Sequence, residues 1–303
     1  MLPSFARKII KQVDHDVFFK VYQSAEMLKF VEELASLNSK IHYEYTRRPD
    51  PKLGLSAIEF ENFSIYFHSI PRYTELESFI ATIKMVSRVK RYKNLNVRIL
   101  SFVSQFCPNC RTLVDVLNKV CIELGSEHHI VDVNLFMNYA RMYNIKSVPT
   151  TLIGDFRFIG ALTEAEAEMW IENWYKGDYY QYIAEKLRYG EIELVKKIVK
   201  KRNLSKIIAE LIAHREFIVR LGAMAIIESF QKEGIKIAKQ AKEVIIRLLK
   251  HDDERIREDA AMILGIIGNR EDIKYLIELV KKGGRVGISA REAIENIRGK
   301  KDG

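Results

Sequence analysis

The spacing of hydrophobic positions changes character near residue 178. Before that point short apolar runs rich in Val, Ile, Phe and Tyr alternate with amphipathic stretches, and beyond it only helical three-and-four spacing recurs. The clearest strand signal is "VRILSFV" at 97–103. It is followed by "PNCRTLVDVLNKVCIEL", whose Leu113, Leu117, Val120, Cys121 and Leu124 share one helical face. "HHIVDV" (128–133) predicts a second strand, and "LFMNYARMYNI" a short helix. "TTLIGD" and "FRFIG" predict two strands joined by a tight turn. The helix "TEAEAEMWIENWYK" closes the region, with Thr163 and Glu166 at capping-box spacing and Trp170 and Trp174 as anchors to the sheet and to the helical region that follows. The order β-α-β-α-β-β-α predicts an α/β unit over 94–177.

Residues 1–93 read as a worn copy of that order. "VFFKVY" (17–22) predicts a strand, "AEMLKFVEELASL" (25–37) an amphipathic helix, and "KIHYEYT" a second strand. "SAIEF" and "FSIYFHS" predict a hairpin, and 74–92 a closing helix with a capping box from Thr74 to Glu77. The central helix is reduced to the loop "RRPDPKLG", and "QSAE" stands where the later copy has "CPNC".

In 178–303 three segments superpose: 218–230, 255–267 and 284–297. Ala223, Ala260 and Ala290 align, as do Ile227, Leu264 and Ile294, at offsets of 37 and 30 residues. Each is preceded by another helical stretch: "LSKIIAELIAH", "AKQAKEVIIRLLKHD" and "DIKYLIELVKK". Small residues that let paired helices approach, with large aliphatics filling the seam, predict an α-solenoid of about three repeats capped by 178–201. Arg220 and Arg257 are expected to pair with neighbouring acids.

Composition narrows the class without naming it. At 48% hydrophobic and 29% charged, 303 residues make folded cores rather than a disordered chain. Three cysteines exclude a disulfide-scaffolded secreted domain, and neither a signal-like start nor a membrane-length apolar run is present. A cytoplasmic protein without membrane attachment is expected, and the abundant Lys, Glu and Ile suggest a heat-adapted source. The net charge of +9 is scattered among Glu along helices, so a solvated surface is expected rather than a nucleic-acid partner.

The chemistry concentrates at Cys107 and Cys110. A strand running into Cys-Pro-Asn-Cys at a helix start puts Cys107 at the N-cap and Pro108 at the first helical position, where its missing N–H costs nothing. Free N–H groups and the positive helix end favour a thiolate at Cys107, and Arg111 adds charge nearby. Cys110, one turn on, is placed to attack a mixed disulfide formed at Cys107, closing a Cys107–Cys110 disulfide. Zinc would need further ligands, and Cys121 with His128 or His129 fits no common spacing. No metal and no cofactor beyond the reversible disulfide is expected. Cys121 reads as a buried apolar residue. His128 and His129 read as one surface and one packing residue, and Asp132 as a neighbour of the active-site helix.

"FCPNC" at 106–110 and "SVPTTLI" at 147–153 resemble the active-site pair and the cis-proline loop of the thioredoxin and glutaredoxin superfamily. The resemblance implies a cis bond before Pro149, with Pro108, Asn109, Val148 and Pro149 shaping the substrate groove. Two units in tandem, over about 15–178, resemble the protein disulfide oxidoreductases of thermophiles, here with a first unit lacking CxxC. Phe106 and Ser101 stand where thioredoxins proper carry a Trp and a buried Asp. "DDERIREDAAMILGIIGNRED" (252–272) resembles HEAT repeats.

The implied architecture is α/β plus all-α: two tandem thioredoxin-like domains (1–93 and 94–177) followed by a short HEAT-like α-solenoid (178–303). The implied activity is thiol–disulfide exchange on protein thiols and disulfides, with Cys107 as nucleophile and Cys110 as resolving thiol. The implied partners are a thioredoxin-reductase-like electron donor and a protein bound by the solenoid. The alternative is a redox-sensing adaptor in which solenoid binding is the main function.

Overall fold

The change of periodicity near residue 178 is a structural boundary. In a computed structural model, which describes residues 2–235 and 239–299, the chain divides into two units, Met1–Gly177 and Asp178–Gly303. No helix among the described residues is long and apolar enough to cross a membrane.

The first unit holds β1 (Val17–Tyr22), β2 (Ile41–Thr46), β3 (Ala57–Phe60), β4 (Ile65–Phe67), β5 (Arg98–Val103), β6 (Glu127–Asp132), β7 (Thr150–Ile153) and β8 (Phe156–Ile159). All eight lie in one sheet of order β2-β1-β3-β4-β6-β5-β7-β8. The pairing is repeated: β1 is parallel to β2 and antiparallel to β3, and β5 is parallel to β6 and antiparallel to β7. The two sets join through parallel β4 and β6, with Tyr66 opposite His129. The boundary expected at 93/94 therefore falls inside one continuous sheet.

Helices cover its faces: α1 (Ser4–Ile10), α2 (Ala25–Leu37), α3 (Tyr73–Met85), α4 (Pro108–Leu124), α5 (Met137–Met142) and α6 (Glu164–Lys176). β3 and β6 are buried along their whole length, as strands covered on both faces should be. An aromatic cluster fills one half of the core, with Phe79 ring centroids 5.1–5.5 Å from those of Phe19, Phe60 and Phe67. Leu100, Phe102, Val131 and Leu152 form a second cluster, against which Tyr139 and Tyr143 pack. Trp170 sits 5.3 Å from Phe158, and a Cβ on Gly154 in the β7–β8 turn would lie 2.0 Å from Trp174 Nε1. These contacts seat the last helix on the sheet.

Two local expectations are corrected, and one short helix carried no signal. Thr74 forms no capping box: α3 starts at Tyr73, and the Thr74 hydroxyl donates to the Gln105 carbonyl instead. α3 ends at Met85 rather than 92, because the backbone of Tyr92, Lys93 and Leu95 bonds the last carbonyls of α4. α1 is too short for its periodicity to register, yet it buries Ala6 and Ile10. The Thr163–Glu166 capping box is present.

The second unit contains α7 (Tyr180–Arg188), α8 (Ile192–Arg202), α9 (Ser205–Glu210), α10 (Phe217–Lys232), α11 (Lys239–Leu248), α12 (Glu254–Ile267), α13 (Ile273–Lys282) and α14 (Gly284–Gly299). Ala238, expected to open α11, lies outside the described residues. α10 packs on α12 and α12 on α14, with α9, α11 and α13 beside them. The small residues have the expected cause, since a Cβ on Gly265 would stand 2.7 Å from Ala293 Cα. Arg220 and Arg257 each donate to the carbonyl six residues back, at His214 and His251. Arg220 also pairs with Asp259 at 2.9 Å in the next repeat, whereas Arg257 bonds a second carbonyl, that of Asp252.

Candidate functional site

β5 delivers the chain to residues 104–107, where Pro108 opens the 17-residue helix α4. Cys107 is its N-cap, with extended backbone, and its Sγ accepts the Cys110 N–H at 3.3 Å. An N-cap side chain that accepts from the third helical N–H satisfies one of the unpaired donors of the first turn. The sulfur therefore sits where negative charge is favoured. Cys107 is half-buried, Pro108 and Asn109 are exposed, and Cys110 is 2% exposed. Both are free thiols. Burial holds the Cys110 thiol protonated well above its ordinary range, with Cys107 and the charge of Asp132 adding to the effect.

Ser24 occupies the matching place in the first half, accepting from Met27 N at 3.2 Å. The correspondence with Cys-Pro-Asn-Cys is thus Ser24–Met27, one residue later than "QSAE" was placed. A hydroxyl and a thioether replace the two thiols.

The Val148–Pro149 bond is cis, with Val148 half-buried and Pro149 buried. Arg111 pairs with Glu77 of α3 and lies 3.7 Å from Asp115, so its charge is shared with two acids rather than held for Cys107. Phe106 is 70% exposed and packs against Tyr73, itself 63% exposed, with ring centroids 4.8 Å apart and the rings tilted by 39°. Tyr73 also lines an open groove of about 840 Å³ with Phe5, Phe30, Ile70 and Arg72.

Both histidines at 128 and 129 are fully buried, against the expectation of one at the surface. β6 has no solvent face, so alternation along it does not expose either side chain. His128 bridges Asn118 Oδ1 at 2.6 Å and Ser101 Oγ at 2.7 Å, and burial drives its pKa far down, which keeps it neutral. Ser101 is thereby committed to a packing network. Cys121 is fully buried, and burial raises its thiol beyond ionisation.

One group escaped the sequence. Glu75, in the first turn of α3, is fully buried with its pKa pushed up to about 8, chiefly by burial, with Asp132 adding repulsion. Its Oε2 accepts from Ser69 Oγ at 2.7 Å and from Gln105 Nε2 at 2.8 Å, while Oε1 has no hydrogen-bond partner. Gln105, two residues before Cys107, also donates its backbone N–H to Asp132 Oδ2 at 3.2 Å. A carboxyl that burial keeps largely neutral at pH 7 is thereby tied to the segment carrying the thiols. The signal lay in an acid at the helix start of the half that lacks cysteines, where a solvent-exposed first turn is the ordinary reading.

Comparison with known proteins matches residues 95–172 to a thioredoxin domain and residues 204–295 to HEAT repeats. A protein of Ferdinandcohnia aciditolerans named NADH dehydrogenase is 27% identical over 186 residues, covering 54% of this chain and 35% of that protein. A Bacillus subtilis protein of the same name is 25% identical over 165 residues, covering 48% and 32%. The chain thus spans about a third of the length of these curated relatives. Among solved structures, the N-terminal domain of alkylhydroperoxide reductase AhpF from Enterococcus faecalis is 21% identical over 56% of this chain and 100% of that one, with a TM-score of 0.49. A protein disulfide oxidoreductase from Aeropyrum pernix is 15% identical over 57% and 91%, with a TM-score of 0.46. The chain therefore carries a thioredoxin domain at 95–172, with the Cys-Pro-Asn-Cys segment inside it, and HEAT repeats at 204–295.

Proposed function

We propose that the protein is a thiol–disulfide oxidoreductase acting on protein disulfides. The observation that carries this reading is the half-buried Cys107 sulfur at the head of α4, accepting the Cys110 N–H, with a protonated Cys110 thiol one turn behind it.

In the reducing direction the Cys107 thiolate attacks one sulfur of a substrate disulfide. The substrate S–S bond breaks, a Cys107–substrate bond forms, and the other substrate sulfur leaves as a thiolate. Cys110 then loses its proton and attacks Cys107, forming the Cys107–Cys110 disulfide and releasing the second substrate thiolate. An external dithiol returns the pair to its reduced state. Cys110 needs a base, because its buried thiol holds the proton. Asp132, whose charge bears on Cys110 and whose Oδ2 accepts the Gln105 N–H, is placed to receive it, with Glu75 tied to the same Gln105 side chain. Pro108, Asn109, Val148 and Pro149 form the substrate groove, extended by the exposed Phe106–Tyr73 pair.

Residues 1–93 act as a degenerate thioredoxin-like unit without redox chemistry of its own, supported by the repeated strand pairing and by Ser24 and Met27 at the cysteine positions. The HEAT repeats serve as a protein-interaction module, supported by the exposed Phe217, Ile218 and Leu221 on α10. The same exposed face favours the second reading, a redox-sensing adaptor. Insulin reduction by dithiothreitol separates the two. Catalysis by wild type that is abolished in Cys107→Ser supports the enzyme, and equal turbidity curves for both overturn it.

A further inference from the structure

A second cluster of chemistry-bearing side chains lies where the two halves of the sheet meet, with no part in thiol exchange. Asp50 comes from the loop between β2 and β3, His68 follows β4, and His129 lies in β6. All three are fully buried, and one ligand atom from each lies within 4.8 Å of the others. We propose that Asp50, His68 and His129 bind a divalent transition-metal ion of the zinc and cobalt class, tying the loop at 47–56 and β4 to β6.

The hydrogen bonds argue for a cation. His68 Nδ1 faces the Ser56 carbonyl at 2.9 Å, so it carries the proton and leaves Nε2 with its lone pair. That Nε2 lies 2.9 Å from His129 Nδ1. If a proton bridges the two nitrogens, His129 Nε2 is left bare. It has no hydrogen-bond partner and lies 3.7 Å from the Glu127 carboxylate, one acceptor against another. A metal in place of that proton, with the two nitrogens moved apart to hold it, removes the conflict: His68 Nε2 and His129 Nδ1 both offer lone pairs, and His129 Nε2 carries the hydrogen and directs it at Glu127.

Metal-bound imidazoles ordinarily donate their second N–H to a carbonyl or carboxylate, and Ser56 O and Glu127 stand in those places. Asp50 brings the charge. Its two oxygens accept from the backbone N–H groups of Lys52 and Leu53 at 3.0 and 2.7 Å, while the Lys52 ammonium is turned away to Glu127. Tetrahedral ligands at about 2.0–2.1 Å from zinc stand roughly 3.4 Å apart, so the two imidazole nitrogens at 2.9 Å need to open by about half an ångström, while any ligand pair near the 4.8 Å limit closes by about an ångström. Two imidazoles and a carboxylate suit zinc or cobalt better than calcium or magnesium, which prefer all-oxygen sets.

The test uses the full chain as Cys107→Ser/Cys110→Ser, so that the active-site thiols take no part, titrated with Co2+ and followed by visible absorption. The expected result is one saturable equivalent without a strong thiolate charge-transfer band, displaced stoichiometrically by Zn2+. His68→Gln and Asp50→Asn should each weaken binding at least thirtyfold, while His42→Gln at the exposed surface changes it less than threefold. Imidazole nitrogen NMR of the unsubstituted cluster with Zn2+ locates the ion even if a core variant does not fold. Shifts at His68 and His129 support the site. Absence of saturable binding, equal affinity in the three single variants, or shifts confined to exposed histidines would overturn it.

Discussion

Glu75→Gln gives the account a quantitative handle. The folded carboxyl titrates near 8 against an ordinary 4.5, because burial disfavours the anion. Below pH 4.5 it is neutral in the folded and unfolded chain alike, and nothing is lost. As pH rises from 4.5 toward 8, the unfolded chain sheds the proton while the fold retains it, and stability falls throughout that window. The loss is about 3 kcal/mol at pH 7 and levels off at about 5 kcal/mol above pH 8, as an order of magnitude. Glutamine keeps an acceptor for Ser69 and Gln105 and never ionises. Glu75→Gln should therefore be more stable than wild type at pH 8 by about 3–5 kcal/mol, and by less than about 1 kcal/mol at pH 5. Both tryptophans, Trp170 and Trp174, lie in the first unit, so their fluorescence in urea reports on that unit without the solenoid. A stability difference that is the same at pH 5 and pH 8 would refute the buried-acid reasoning.

Other outcomes follow from named contacts. Gly265→Val drives a side chain into Ala293 Cα at a Cβ distance of 2.7 Å, and should lower solenoid stability by about 2–3 kcal/mol by circular-dichroism melting, leaving thiol exchange intact. Asp259→Ala removes the carboxylate that pairs the Arg220 guanidinium, which is 6% exposed, and should cost about 3 kcal/mol in the same assay. Phe106→Ala removes a ring that is 70% exposed, so it should leave the unfolding free energy in urea within about 0.5 kcal/mol of wild type while raising KM for a protein disulfide severalfold. An unchanged KM there would remove Phe106 from the substrate groove.

Most elements were legible because their signals are local. Short runs of β-branched and aromatic residues gave β1, β2 and β5; the three-and-four face gave α2 and α4; the small-residue register gave α10, α12 and α14. The thiol pair was legible for the same reason, since Cys107, Pro108 and Cys110 define a helix start within four residues. What the sequence hid is long-range. Thr74 has capping-box spacing, but the Gln105 carbonyl lies nearer to hand and takes its hydroxyl. His128 and His129 are both buried because β6 is covered on both faces and flanked by β4 and β5, a fact of sheet order. Glu75 and the Asp50–His68–His129 cluster join residues from both halves of a continuous sheet, and no spacing along the chain announces them.

The most direct measurement is to incubate Cys110→Ser and Cys107→Ser separately with a disulfide-containing protein, quench with acid and read the adducts by intact mass and peptide mapping. The account predicts a stable mixed disulfide on Cys107 in Cys110→Ser and no adduct on Cys110 in Cys107→Ser. Equal adducts on both cysteines, or none on Cys107, would contradict it.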